Sequence, residues 1–241
     1  MKKPKMILFD YGQTLVNEQK FDGVKGTQAV LNYAIKNRYN KTAEEVQAYA
    51  DELNREIGRF DPQKRHMFEY EMPNYMFSAF LYESLGIELS LTPAERDTVF
   101  WDAAAPGQPT EGILEFLGFL RRESIRTGVL SNITYCGSAV EKRIRECIPD
   151  NDFEFIIATS EYLYRKPNRH IFELALEKAQ LKPDDVWFAG DQYQCDVVGA
   201  RNAGIFPVWY KGAMELEQEN TGDVLSIVSW KELEERIAHI Q

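Results

Sequence analysis

Met6-Ile7-Leu8-Phe9-Asp10-Tyr11-Gly12-Gln13-Thr14-Leu15 runs from an unbroken apolar stretch into a carboxylate and then into a Gly/Thr turn. Four consecutive apolar residues read as a strand buried on both faces, the kind found in parallel sheets. A carboxylate at the C-terminal end of such a strand is costly unless it has a task. In open α/β sheets that end is where ligands bind. Taken alone the segment is only suggestive, because many strands stop at an Asp. It becomes specific because three more elements follow in order. They are Gly128-Val129-Leu130-Ser131-Asn132, then Arg165-Lys166-Pro167, then Phe188-Ala189-Gly190-Asp191-Gln192-Tyr193-Gln194-Cys195-Asp196.

Outward from these elements, short apolar runs at 6–9, 127–130, 155–158, 186–189 and 205–209 read as buried parallel strands. Helical patterns at 113–122, 138–147, 169–179, 195–203 and 230–240 fall between or after them, which argues for βαβ units and a doubly wound parallel sheet. Residues 17–105 differ. They show no convincing strand but helical patterns near 26–38, 42–57, 73–85 and 93–103. Thr42 with Glu45 reads as a capping box, Thr92-Pro93 with Glu95 as another helix start, and Gly86 as a helix stop. A helical insert thus interrupts the α/β pattern between its first and second strands, and 104–109 reads as the returning linker.

The chain has 241 residues, of which 44% are hydrophobic, enough for a sizeable core and at most two domains. Its net charge of −10 disfavours nucleic acid and anionic membranes as partners, so an anionic substrate needs local attraction from a cation and a few basic side chains. No apolar stretch approaches the roughly 18–20 residues that span a bilayer. Lys2, Lys3 and Lys5 precede an apolar run too short for a secretory signal, and Cys136, Cys147 and Cys195 show no paired or metal-ligand spacing. A reduced, cytoplasmic setting is the expectation.

Asp191 and Asp196 crowd the end of the 186–189 strand, where Gly190 allows a sharp turn. Carboxylates at neighbouring strand tips repel unless a hard cation lies between them, and Mg²⁺ is the usual choice. The plain alternative is a surface turn and a helix N-cap. Ser131 and Asn132 offer a hydroxyl and backbone N–H groups to phosphate oxygens, though Ser-Asn is also a common turn. Lys166, fixed by Pro167 and the helix after it, is a point charge suited to a phosphate or to crowded carboxylates. Nucleophile, hydroxyl, cation and acidic pair together make a phosphoryl-transfer site.

In order and type these four segments resemble the four motifs of the haloacid dehalogenase-like superfamily. The likeness covers residues 5–210, with the helical insert where members carry a helical cap, and is most specific from Tyr164-Arg165-Lys166-Pro167 to Gly199-Ala200-Arg201-Asn202-Ala203-Gly204. It implies a Rossmann-like sheet of order 5-4-1-2-3, a core domain of residues 1–16 and 106–241, and a cap domain of residues 17–105. It also implies that Asp10 is the nucleophile that forms an aspartyl-phosphate. Mg²⁺ would be held by Asp10, the Gly12 carbonyl and Asp191, with Asp196 contacting metal-bound water or Lys166. Ser131 and Asn132 would bind phosphoryl oxygens, and Lys166 would balance charge.

Gly12 departs from the pattern. Family phosphatases usually carry a second Asp there, which protonates the leaving oxygen and later activates water, help worth roughly 10²–10⁴ in rate. Dehalogenases resemble Asp-x-Tyr at these positions, phosphonoacetaldehyde hydrolases Asp-x-Ala, and some sugar phosphatases Asp-x-Gly. Gln13 or a cap residue could orient the water instead. In the insert, Arg59, Asp61, Lys64, Arg65 and His66 form a polar stretch in which Arg65 or Arg59 would hold distal groups of the substrate. The aromatic series Phe68, Tyr70, Tyr75, Phe77, Phe80 and Tyr82 reads as cap core.

The expected function is a Mg²⁺-dependent phosphatase of a small phosphorylated metabolite, a monomer or homodimer with no nucleic-acid or membrane partner. One rival is a same-fold hydrolase of a carbon–halogen or carbon–phosphorus bond. Dehalogenation needs Asp10 but no metal, and it leaves Asp191 without its usual purpose. The other rival is a weakly active or non-catalytic relative that binds a phosphorylated ligand or a protein.

Overall fold

Alternation along the first strand sets the layers of the molecule. Met6 and Leu8 join one apolar cluster, Ile7 and Phe9 another, so both faces of this strand are buried. The computed structural model describes residues 2–59, 69–213 and 224–240. Its strands are β1 (Met6–Phe9), β2 (Val16–Glu18), β3 (Ala34–Asn37), β4 (Ile87–Leu89), β5 (Gly107–Pro109), β6 (Arg126–Ser131), β7 (Ile156–Ala158), β8 (Val186–Gly190), β9 (Phe206–Tyr210) and β10 (Leu225–Ile227). The helices are α1 (Gly23–Leu31), α2 (Ala43–Glu56), α3 (Asn74–Ser84), α4 (Pro93–Ala104), α5 (Ile113–Arg122), α6 (Gly137–Cys147), α7 (Arg169–Ala179), α8 (Gly199–Asn202) and α9 (Trp230–Ala238). None of the described helices is long and apolar enough to cross a membrane.

The main sheet is parallel, in the order β10-β9-β8-β1-β6-β7. Its five strands β9-β8-β1-β6-β7 have the 5-4-1-2-3 arrangement. The edge strand β10 was not expected, because Leu225-Ser226-Ile227 is too short and mixed to register as an apolar run. The chain leaves β1 towards β6 on one side and later returns to β8 on the other. β1 is therefore the switch point of the sheet, where a crevice opens beyond the strand ends.

The insert packs around its own cluster of Val30, Val46, Ala50, Leu81, Tyr82 and Ile87. Both capping boxes form, at Thr42 with Glu45 and at Thr92 with Glu95, and Gly86 adopts φ +65° after α3. Four expectations need correction. The helix placed at 26–38 spans only Gly23–Leu31, capped by the Asp22 carboxylate, and Ala34–Asn37 pairs antiparallel with Ile87–Leu89. Ile35 suits an extended backbone, and the partner strand lies too far along the chain for local periodicity to reveal it. The linker at 104–109 is instead the end of α4 followed by β5, which pairs with β2 where the chain leaves and re-enters the core. The helix at 195–203 begins as a wide π turn over Tyr193–Val198 before the single turn of α8. Finally, the aromatic series divides. Tyr82 is buried and Phe77 packs on the insert's cluster, but Tyr70, Tyr75 and Phe80 are exposed. The α3 sequence is apolar almost all round, so composition does not say which stripe faces inward. Phe68 lies outside the described residues.

Candidate active site

Ladder register brings the carboxylates to one place. Phe9 lies opposite Ala189 on β8 and Val129 on β6, and the Asp10 N–H donates to the Ala189 carbonyl at 2.9 Å. Asp10, Ser131 and Asp191 therefore emerge together at the C-terminal edge of three adjacent strands. Gly190 is required for the close approach that follows, since a Cβ there would stand 2.7 Å from the Asp196 Cβ. The π turn then carries Asp196 back beneath the loop, where its Oδ2 accepts the Gln192 N–H at 2.9 Å.

Lys166 is the cation of this group. Its Nζ donates to Asp10 Oδ1 at 2.7 Å and to Asp196 Oδ1 at 2.6 Å, and lies 4.9 Å from the centre of the Phe188 ring. Asn132 grips its backbone, with Oδ1 accepting the Lys166 N–H and Nδ2 donating to the Lys166 carbonyl, both at 2.8 Å. The Asn132 carboxamide is thus engaged in holding Lys166, a positioning role that sequence reasoning missed. Ser131, almost fully buried, ends β6 on the wall of the same cavity as Asp10, Gly12 and Asp191.

Burial opposes the charge on Lys166, yet Asp10 and Asp196 outweigh it and push its pKa up. Asp191 and Asp196 are both raised above the ordinary carboxylate range, first by burial. The Asp10 and Asp196 charges add to this at Asp191, while Lys166 partly offsets it at Asp196. Oxygens of Asp10, Asp191 and Asp196 lie within 4.8 Å of one another, and Asp191 Oδ1 is buried without a hydrogen-bond partner among the described residues. Three carboxylates against one ammonium leave an excess of acidic groups, and one of them carries the orphaned oxygen. This donor set fits a hard divalent cation such as Mg²⁺, which takes oxygen ligands of this kind.

Above the strand tips lies a cavity of about 1030 Å³. Its floor includes Asp10, Gly12 and Lys166, and its upper wall includes Arg59, Phe77 and Arg96 from the insert. The Arg59 guanidinium stacks on Phe77 at 5.1 Å and donates to the Met72 carbonyl at 3.1 Å; burial lowers its pKa. Arg65, with Asp61, Lys64 and His66, lies outside the described residues. A second group missed in the sequence joins insert to core. Glu18 Oε1 accepts from the Tyr11 hydroxyl at 3.2 Å and from Trp101 Nε1 at 2.7 Å, while Arg143 stacks on Trp101 at 4.4 Å. No motif marks these residues, because their link is purely spatial.

Residues 4–204 match the family of haloacid dehalogenase-like hydrolases. The chain belongs to that family. Among curated proteins it is similar to a glyceraldehyde 3-phosphate phosphatase of Pyrococcus furiosus, 24% identical over 92% of this chain and 89% of that protein. It is also similar to the pyrimidine 5'-nucleotidase YjjG of Escherichia coli, 26% identical over 95% of this chain and 96% of that one. Among solved structures, a 2-haloacid dehalogenase of Pseudomonas syringae pv. Tomato DC3000 shares the fold with a TM-score of 0.65, at 19% identity and 99% coverage of both chains. The fold alone does not separate the two chemistries, so the decision falls to the residues of the site.

Proposed function

We propose that this hydrolase is a Mg²⁺-dependent phosphatase of a small phosphorylated metabolite, working through an aspartyl-phosphate on Asp10. The observation that carries this reading is the orphaned, buried Asp191 oxygen beside Asp10 and Asp196. Dehalogenation needs no metal and leaves Asp191 without its usual purpose, whereas a phosphatase uses such a cluster to hold a cation against a phosphate. The relatives named as a phosphatase and a nucleotidase point the same way.

On this reading the Asp10 carboxylate attacks phosphorus, and the leaving alkoxide or aryloxide departs into the cavity. Ser131 and the backbone beyond β6 receive the phosphoryl oxygens, and Lys166, held by Asn132, balances charge between phosphate and Asp10. Mg²⁺, held by Asp10, the Gly12 carbonyl and Asp191 with Asp196 nearby, would neutralise charge on the transferring group when bound. Residues 17–105 would act as a cap domain over a core of residues 1–16 and 106–241, with Arg59 and Arg65 contacting the far end of the substrate. We take the enzyme to be cytoplasmic, a monomer or homodimer. The two named relatives act on different molecules, and the cavity is roomy enough for a substrate larger than a triose phosphate.

The test is release of phosphate from an aryl phosphate with Mg²⁺ and with EDTA. Metal-dependent release supports the reading. Absence of release, with metal binding shown separately, favours the second reading suggested by Gly12, a relative that binds a phosphorylated ligand without turning it over.

A further inference from the structure

In the loop after β1, glycine and glutamine stand in unexpected places. Gln13 adopts φ +55°, the left-handed region that disfavours a side chain, while Gly12 is not among the residues of positive φ. Glycine is therefore present where the backbone does not ask for it, and a long side chain where the backbone does. The loop leaves Gln13 no easy escape. Its N–H donates to the Val16 carbonyl at 2.8 Å, and the N–H groups of Leu15 and Val16 both reach the Tyr11 carbonyl at 3.0 Å. Asn40, Ser124 and Gln180 share the conformation at or beside turns, as Gln13 does, but only Gln13 of the four lines the catalytic cavity. Beside it, a Cβ on Gly12 would meet nothing within 4 Å. Among the described residues the Gln13 amide has one long bond, Nε2 to the Glu18 carbonyl at 3.5 Å, so it can turn towards that open space. Strain retained at a functional loop points to a use for the side chain.

We propose that the Gln13 carboxamide orients the water that hydrolyses the aspartyl-phosphate, in the space that Gly12 leaves open. This rests on the phosphatase reading above. A carboxamide both accepts and donates hydrogen bonds, so it can fix a water for in-line attack, but it takes up no proton. In the step it serves, the water oxygen bonds to phosphorus and the bond from phosphorus to the Asp10 oxygen breaks. The electron pair returns to the Asp10 carboxylate, and both water protons leave on dihydrogen phosphate.

An aryl phosphate has a good leaving group, which makes hydrolysis of the phosphoenzyme the slow step and isolates this role. Gln13→Ala removes the amide. Gln13→Gly removes it and also relieves the backbone, which guards against a variant that merely folds poorly. For both, kcat should fall about 10- to 100-fold. KM should fall with it, leaving kcat/KM unchanged, and acid-quenched samples from labelled substrate should hold more phosphoenzyme. Gln13→Gly should at the same time melt about 2–4 °C higher. Unchanged kcat in both variants, or a parallel loss of kcat and kcat/KM without extra phosphoenzyme, overturns the proposal. If wild-type enzyme forms no phosphoenzyme at all, the phosphatase reading falls and takes this proposal with it. Phosphoenzyme in wild type with indifferent variants removes this proposal alone.

Discussion

The floor and the upper wall of the cavity are built by different means. On the floor, Asp10, Ser131 and Asp191 are placed by the register of three hydrogen-bonded parallel strands, and Lys166 is locked by two carboxylates and by Asn132. On the wall, Arg96 comes from α4 and Arg59 from the turn that follows α2, beside a separate apolar cluster, and their guanidinium groups rest against Tyr82 and Phe77 respectively. A β ladder fixes positions to fractions of an ångström, which bond-making requires. Side chains resting on ring faces tolerate repacking, which suits a surface that selects among substrates. The floor should therefore respond to mutation in kcat, and the wall in KM.

The largest effect belongs to Asp10. Replacing it by Asn should lower kcat by on the order of 10⁴-fold or more, as loss of a nucleophile does elsewhere. The fold should survive, because Lys166 keeps Asp196 and the exchange removes one of three crowded acids. Steady-state assays with a thermal melt check both halves, and near-wild-type turnover refutes the nucleophile assignment. Gly12→Asp comes next and probes the empty part of the floor. A side chain has room there. Turnover of alkyl phosphates should rise relative to aryl phosphates, by up to about 10²-fold, since only the poorer leaving group needs a proton. An unchanged ratio in a folded, metal-binding variant means that another group already supplies it.

The same contrast explains what the sequence reveals. Of the residues that the structure brings together, Asp10 and Asp191 follow apolar runs, Lys166 precedes a proline that pins it, and Asp196 follows Asp191 in the next loop. The 5-4-1-2-3 core is legible for the same reason, since buried parallel strands are continuous apolar runs. What stays hidden depends on partners far along the chain. β3 is recognisable only through β4, some fifty residues on, and the Asn132 clamp only through Lys166. The exposed Tyr75 and Phe80 differ from the inward Phe77 by facing, not by type.

The wall gives the third prediction. Arg59→Ala should raise KM for a substrate with polar distal groups about tenfold, near 1.4 kcal/mol, and leave kcat within about twofold. A pure kcat effect contradicts the division between floor and wall, and places Arg59 with the reacting atoms.

The smallest effect lies in stability and separates the two regions by pH. Without metal, burial and mutual repulsion hold Asp191 and Asp196 above the ordinary carboxylate range. Their folded pKa values then exceed the unfolded value of about 3.9, so the native state binds more protons than the unfolded chain. Linkage makes stability largest below that value and lets it decline as pH rises through the folded pKa values. EDTA-treated protein should accordingly melt a few degrees lower at about pH 8 than at about pH 5. Mg²⁺ should flatten the slope by stabilising the ionised carboxylates, and Asp191→Asn should flatten it without metal. Arg59 contributes no slope here, because a guanidinium stays charged throughout this range. A slope that persists in Asp191→Asn and ignores Mg²⁺ would move the titrating groups away from the floor and remove the electrostatic case for a cation there.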